Sequence, residues 1–277
     1  MSTVAKRAVA LFLSSHPIPC LAVALFSGMF SLGSGVSLGH SLAVFFAMLS
    51  QQISVGLSND WLDHRRDLAA RRTDKPTVKG LVTLAELRFW SITAAVLAEA
   101  TAVALGFGAA LVMVLMLAVG WAYNLGMKSN WSSAIPYAIG FGTVPVFVGL
   151  AAPEPFWVEL WVVLVSALLG VSAHFANALP DMAEDKLTGV NALPHILGQR
   201  VSSLVIASTA LVATVLVVTQ SNSLHPLLAF AGLFATLTLV GIASGLALRK
   251  KPPRVIFPLL ILAALVNVIL LVLGSAR

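Results

Sequence analysis

The sequence has few charged residues and almost no cysteine. Of its 277 residues, 10% are Asp, Glu, Lys or Arg, whereas 58% are hydrophobic. Soluble domains carry about 25% charged residues, so this composition excludes an ordinary soluble protein and predicts one that lies in a membrane. The single cysteine, Cys20, excludes an intrachain disulfide, and we interpret it as a small apolar residue of the core.

The hydrophobic residues form continuous runs that lack the alternation of transmembrane barrel strands. Each run is about long enough to cross the hydrocarbon core as a helix. We therefore predict an all-α membrane protein in which nine transmembrane helices form a bundle with a central cavity, as a single domain over residues 1–277. The predicted spans are residues 17–37, 40–58, 89–107, 109–126, 132–151, 157–179, 199–219, 226–247 and 255–275.

The amino-terminal apolar stretch resembles a signal peptide, because Lys6 and Arg7 precede it. Pro17 and Pro19 interrupt this stretch, however, and no clean small-residue cleavage site follows. We therefore interpret it as part of a retained first span.

Positive charge is distributed unevenly between the segments that connect the predicted spans. With the amino terminus inside, 16 of the 17 Lys and Arg residues lie on the cytoplasmic side, and only Arg277 lies outside. This pattern predicts a multi-pass protein with a cytoplasmic amino terminus. Topology and phosphate binding then account for the net charge of +6, and we predict contact with membrane lipid but no nucleic-acid partner.

Two acidic clusters lie near the cytoplasmic ends of the second and sixth predicted spans. The first follows Asn59 and the second follows Asn177, and this matching placement suggests an internal repeat with a site between the halves. Carboxylates at the edge of a membrane span cost free energy unless a cation neutralises them, so we predict that five aspartates form a functional site rather than solvated ion pairs. These five are Asp60, Asp63, Asp67, Asp181 and Asp185.

Helical geometry gathers each cluster on one face. At about 100° per residue, the three aspartates of the first cluster lie within about 60° of one another. Carboxylate oxygens are ligands that Mg²⁺ prefers, and bound Mg²⁺ commonly also contacts substrate phosphates. Two such faces across a cavity therefore predict Mg²⁺ bound together with a phosphate or diphosphate. The predicted face of the second cluster contains His174, Asn177, Asp181 and Asp185.

These motifs resemble those of the UbiA superfamily of intramembrane prenyltransferases. The family's first pattern, Asn-Asp-x-x-Asp-x-x-x-Asp, is matched in full by residues 59–67, and its second, Asp-x-x-x-Asp, by residues 181–185. Residues 72–76 are similar to the Arg-Thr-x-Arg-Pro stretch that follows the first pattern, with Lys75 in place of the second Arg. Residues 123–128 are similar to a tyrosine followed by a lysine five positions later, and the nine-span topology agrees.

The resemblance implies Mg²⁺-dependent transfer of a polyprenyl group from polyprenyl diphosphate to a small acceptor, with release of diphosphate. We interpret the acceptor as aromatic, of a quinone-type pathway. A phosphosugar, a glycerol phosphate, a tetrapyrrole and a carotenoid remain alternative acceptors. A cation-coupled transporter is the alternative outside enzymes, and the oligomeric state stays open.

The resemblance also implies roles for individual residues. The metal ligands would be Asn59, Asp60, Asp63, Asp67, Asp181 and Asp185. The residues that bind diphosphate would be Arg72, Lys75, Lys128 and Lys186. Tyr123 would face the allylic carbons and complete the catalytic group formed by Asp63, Asp67, Asp181 and Asp185. The residues expected to line the cavity are His16, His174 and Asn177.

Several further polar residues depart from the matched motifs or lie outside them. His16-Pro17 stands where many family members carry Arg-Pro, and this departure leaves open whether the acceptor chemistry is that of the hydroxybenzoate enzymes. Glu99 lies within the third span, where a charge is costly, and its role stays open. We interpret Gln51 and Gln52 as helix–helix contacts, and residues 250–254 as a basic anchor for anionic lipid.

Overall fold

The computed structural model describes residues 3–73, 75–182, 185, 189–221 and 223–275. Helices and the loops that connect them make up these residues, with no strand among them. A helix satisfies its backbone hydrogen bonds within one segment, which hydrocarbon surroundings require. The predicted all-α class is therefore confirmed. The helices are α1 (Thr3–Ser14), α2 (Pro17–Gly33), α3 (Leu38–Ala69), α4 (Leu84–Leu105), α5 (Phe107–Leu125), α6 (Ala134–Leu150), α7 (Leu160–Ala178), α8 (Leu193–Gln220), α9 (Pro226–Ala247) and α10 (Ile256–Ser275).

Each of the nine predicted spans corresponds to a helix of the structure. Within the described part of the chain, helices α3 to α10 are long and apolar enough to cross a membrane. Helices α1 and α2 form a ninth candidate that is bent by 64°. The protein is thus an integral, multi-pass membrane protein, whereas its orientation in the membrane stays a prediction.

The bend between α1 and α2 occurs at His16, whose φ of 55° and ψ of 63° place it in the left-handed region. Pro17 begins α2, where its missing N–H costs no hydrogen bond. Gly56 of α3 packs beneath the bend so closely that a Cβ there would overlap the carbonyl oxygen of Ser15. This close approach fixes the start of α2 beside the first acidic cluster.

The bundle contains two large buried hydrophobic clusters. One lies mainly among α2 to α6 and includes Met48, Met113 and Phe147. The other lies among α7 to α10 and includes Phe175 and Ile206. Helix α10 also packs against α2 and α7, which joins the two sets of helices. The two acidic clusters are therefore carried by helices from the two sides of the bundle.

The carboxyl-terminal part of α3 is one continuous helix through the first acidic cluster, as predicted. The second cluster differs from its prediction, because α7 ends at Ala178 and residues Leu179–Asp181 form a 3-10 turn. Pro180 lacks the N–H that would continue the α-helical hydrogen bonding. The second cluster is therefore not a single α-helical face.

Candidate active site

A polar cavity of about 480 Å³ lies between the ends of α3, α5 and α7 and the start of α8. Both acidic clusters contribute to its lining, although more than 100 residues separate them in sequence. Lys186 lies outside the described residues. The other site residues predicted from the sequence all line this cavity: His16, Asn59, Asp60, Asp63, Asp67, Arg72, Lys75, Tyr123, Lys128, His174, Asn177, Asp181 and Asp185.

Asp60 is almost completely buried, with 1% of its surface exposed. Its Oδ1 accepts a hydrogen bond of 2.6 Å from Lys75 Nζ and lies 2.9 Å from His16 Nε2. Its Oδ2 is also buried and has no hydrogen-bond partner among the described residues. The loop after α3 and the bend before α2 thus both contact this one carboxylate.

Asp63, one turn further along α3, lies between two cations. Its Oδ1 is 2.5 Å from Lys128 Nζ, and its Oδ2 accepts a hydrogen bond of 2.7 Å from Arg66. Lys128 also donates to Asn59 Oδ1 at 3.0 Å. Burial lowers the pKa of the Lys128 ammonium below its usual range, and the Asp63 carboxylate offsets part of this effect. Lys128 is therefore a buried cation held against the first acidic cluster.

Asp67 completes the first cluster one further turn along α3. It is buried, and its Oδ2 has no hydrogen-bond partner within the described residues. Two aspartates of this cluster, Asp60 and Asp67, thus each carry one buried carboxylate oxygen that no described residue contacts by a hydrogen bond.

The second cluster is more open and is contacted by arginines and a histidine. Asp181 Oδ1 accepts a hydrogen bond of 3.2 Å from Arg254, and its Oδ2 lies 3.7 Å from Arg72. Asp185 Oδ2 lies 3.4 Å from His195 Nε2. About a quarter of the Asp181 side chain is exposed, against 1% for Asp60.

An apolar cavity of about 240 Å³ continues from the polar one into the bundle. The two cavities share His16, Asn59, Tyr123 and Asn177. A further apolar cavity of about 100 Å³ shares Val23, Phe141 and Ala173 with the second. Polar and apolar chambers therefore adjoin, and they meet at Tyr123.

Aromatic rings surround this junction. Tyr123 and Tyr137, the two tyrosines of the chain, lie edge to face with their centroids 5.2 Å apart. The Tyr137 ring lies 4.8 Å from that of His174 and stacks on Phe141 at 6.0 Å. The π-electron faces of such rings attract cations, so the junction is suited to a positively charged carbon.

Sequence analysis missed several residues of the site. Arg66, His195 and Tyr137 line the cavities without belonging to a recognised motif position. Arg254 was predicted as part of a lipid anchor, but the structure places it against Asp181. The spacing of Arg66 three residues after Asp63 was a usable signal, since such residues are neighbours on a helix.

The remaining predictions concern the helix interior. Cys20 is buried, as predicted, and it also lines the apolar cavity. Gln51 donates to the carbonyl of Met116 on α5, which confirms a helix–helix contact. Gln52 donates to Gln51 and lines the apolar cavity as well. Glu99 is absent from the described lining of all three cavities.

The donor atoms of the polar cavity fit divalent cations. Carboxylate and amide oxygens are the ligands that Mg²⁺ prefers, and buried carboxylate oxygens without partners are costly unless a cation reaches them. Among the described residues, no three His, Cys, Asp or Glu side chains converge closely enough to hold an ion as they stand. Cation binding therefore requires side chains to shift, above all Lys128, which contacts Asp63.

Comparison with known proteins agrees with this geometry. The pattern of the UbiA prenyltransferase family matches residues 20–257. The chain is 26% identical over 195 residues to the bacteriochlorophyll synthase 33 kDa chain of Cereibacter sphaeroides, a match that covers 64% of this chain and 62% of that protein, less than two thirds of its length. It is 28% identical over 211 residues to digeranylgeranylglyceryl phosphate synthase of Methanothrix thermoacetophila, covering 73% of this chain and 76% of that protein.

Solved structures share the fold at low sequence identity. An apo UbiA homolog from Aeropyrum pernix K1 superposes with a TM-score of 0.76 at 19% identity, covering 90% of this chain and 94% of that one. A UbiA homolog from Archaeoglobus fulgidus bound to DMAPP and Mg²⁺ gives a TM-score of 0.74 at 16% identity, covering 96% and 98%. At these identities the likeness shows the fold.

Proposed function

Since the chain belongs to the UbiA prenyltransferase family, we propose that it transfers a polyprenyl group from polyprenyl diphosphate to a small acceptor, with Mg²⁺ as cofactor and release of diphosphate. The observation that carries this proposal is the convergence of both acidic clusters and two lysines, Lys75 and Lys128, on one cavity that adjoins apolar chambers. A diphosphate fits the polar cavity by charge, and a prenyl chain fits the apolar chambers by hydrophobicity. Because the matched family is one of prenyltransferases, membership in it argues against the alternative of a cation-coupled transporter.

We assign the metal ligands to the two clusters: Asn59, Asp63, Asp67, Asp181 and Asp185. Bound Mg²⁺ neutralises the charge that develops on the departing diphosphate. Asp60 supports this set, because its Oδ1 holds Lys75 and His16 while its Oδ2 stays available to a cation.

We assign the cationic side chains of the cavity to binding of the diphosphate. Lys75, Lys128 and Arg72 each contact an aspartate in the structure. Metal ions on Asp63 and Asp181 would leave the Lys128 ammonium and the Arg72 guanidinium available to phosphate oxygens, to which such groups make strong charge-assisted hydrogen bonds. Lys186, outside the described residues, is assigned to the same group by its position in the motif.

Breaking the allylic C–O bond leaves a carbocation that needs stabilisation without water. Tyr123 and Tyr137 lie where the polar and apolar chambers meet, with their rings edge to face. Their π faces would attract the cation, and the apolar lining beyond them would exclude water. The acceptor then attacks the allylic carbon.

We propose an aromatic acceptor of a quinone-type pathway, in an active site that faces the cytoplasm. The names of the two relatives favour a second candidate, either a tetrapyrrole or a glycerol phosphate derivative. Arg72 and Arg254 near Asp181 support the phosphorylated alternative.

The test is release of pyrophosphate by the purified protein in detergent. Radiolabelled prenyl diphosphates of several lengths are supplied with Mg²⁺ and with 4-hydroxybenzoate, glycerol 1-phosphate or a lipid extract as acceptor. We expect acceptor-dependent release that EDTA abolishes and added Mg²⁺ restores. The Glu154→Gln variant, altered at an exposed acid away from the cavity, serves as a control and should match the wild type. Absence of both release and prenyl diphosphate binding in a folded sample would refute the proposal.

A further inference from the structure

The His195 side chain is buried at the polar cavity, and the described part of the chain offers it no hydrogen-bond partner. Only 6% of its side-chain surface is exposed, yet neither ring nitrogen makes a hydrogen bond among the described residues. The nearby Asp185 Oδ2 lies 3.4 Å from His195 Nε2 without hydrogen-bond geometry. A buried polar group left in this state costs free energy, so the arrangement is suited to an incoming ligand that supplies the partner.

His174 lies on the same side of the cavity and has a second such nitrogen. Its Nε2 is 3.0 Å from Ser133 Oγ, which also accepts a hydrogen bond of 2.9 Å from the backbone N–H of Leu193, two residues before His195. Its Nδ1 is buried without a partner among the described residues. Either tautomer of the ring leaves Nδ1 unpaired, so Ser133 fixes the ring while one edge stays available.

The charged groups of the cavity are already matched with the acids. Lys75 faces Asp60, Lys128 faces Asp63, and Arg254 faces Asp181. Lys75 and Lys128 are assigned to the diphosphate of the donor. Recognition of an uncharged oxygen on a second substrate therefore depends on the neutral polar groups that remain.

We propose that His174 and His195 together bind an uncharged oxygen of the acceptor, a hydroxyl or a carbonyl, and so act as specificity-determining residues. This inference rests on the proposed prenyl transfer. A neutral imidazole offers one donor and one acceptor, which matches a hydroxyl group. The Tyr137 ring lies 4.8 Å from that of His174, so an acceptor held here would lie beside the aromatic junction assigned to the carbocation.

The test separates the acceptor from the donor. His195→Leu removes both ring nitrogens, and His195→Gln restores an amide donor and acceptor. With 4-hydroxybenzoate as the probe acceptor, we expect His195→Leu to raise its KM about tenfold, the effect of one neutral hydrogen bond, and His195→Gln to recover most of the loss. Donor hydrolysis without acceptor, and the Mg²⁺ concentration for half activation, should stay within about twofold of the wild type. The exposed His225→Gln serves as the matched histidine control.

A stability measurement decides the assignment without any acceptor. If His195 is unsatisfied in the free protein, His195→Leu should keep or raise the thermal midpoint in detergent, because it removes a costly buried polar group. A clearly lower midpoint would show a structural histidine and overturn the inference. A higher Mg²⁺ concentration for half activation of His195→Leu would also overturn the inference, because it would show that His195 positions Asp185. Absence of pyrophosphate release by the wild type would instead refute the proposed function and with it the acceptor role, and the thermal midpoint would still show whether His195 is a structural residue.

Discussion

The two aspartate clusters have similar sequence patterns but different surroundings. The first lies on the continuous helix α3, where Asp60 and Asp63 are buried and paired with Lys75 and Lys128. The second follows the end of α7, where Asp181 is partly exposed and contacts arginines from two loops. One cluster is thus fixed inside the protein, whereas the other lies nearer the mouth of the cavity.

This difference suggests that the two clusters bind metal ions with different ease. Buried carboxylates paired with buried cations make the first cluster rigid, and breaking such a pair is costly. Exposed ion pairs are worth little, so the contacts of Asp181 can exchange for a metal ion at small cost. We infer that a metal ion displaces Lys128 from the first cluster only at a cost, whereas it displaces the partners of Asp181 more easily.

The largest expected difference between the clusters is in stability. Asp60→Ala leaves the Lys75 ammonium without its carboxylate partner in a buried site, which should cost about 3 kcal/mol or more. Asp181→Ala removes only partly exposed contacts and should cost about 1 kcal/mol or less. The thermal unfolding midpoints of the two variants in detergent measure this difference in stability. Equal midpoints would contradict the distinction between a buried and an open cluster.

Loss of activity should be the next largest effect. Asp63→Asn removes a carboxylate assigned to both metal and Lys128 binding, and we expect a loss on the order of 100-fold in kcat/KM, since a metal ion supplies several kcal/mol of charge stabilisation. Asp181→Asn should also lose activity but recover part of it at high Mg²⁺, because its site is more open. Pyrophosphate release measured across a Mg²⁺ titration would separate the two. Identical Mg²⁺ dependence would show that the clusters are equivalent.

Lys128 tests whether the first cluster binds the donor. Lys128→Met keeps the length of the side chain but removes its charge, so the loss of a charge-assisted hydrogen bond should raise the KM for prenyl diphosphate roughly tenfold. The KM of the acceptor should change little. A change in the KM of the acceptor alone would contradict the assignment of Lys128 to the diphosphate site.

Arg254 should give the smallest effect. About two thirds of its side chain is exposed, so Arg254→Ala should change kcat/KM by no more than about fivefold with an uncharged acceptor. With glycerol 1-phosphate the loss should be larger if a phosphorylated acceptor is the natural one. Comparing the two acceptors in one assay therefore also tests the second candidate function.

Motif positions were predictable because the chemistry of each position restricts the residue type. Asn59 and the aspartates were recognised because carboxylates at a membrane surface are costly unless they have a function, and the structure places them on one cavity. Tyr137 and His195 were not recognised, since a lone aromatic ring or histidine in an apolar segment carries no spacing signal. Their neighbours come from other helices, which the sequence order does not reveal.

The sequence by itself determined the membrane setting, the helical class and the family, because hydrophobic length and motif spacing are local properties of the chain. Only the tertiary structure decided which partners each aspartate has. It paired Asp63 with Lys128, 65 positions later, and brought Arg254 against Asp181. Such contacts depend on how the helices pack and where Pro180 ends α7. That packing makes two similar motifs into one buried cluster and one open cluster.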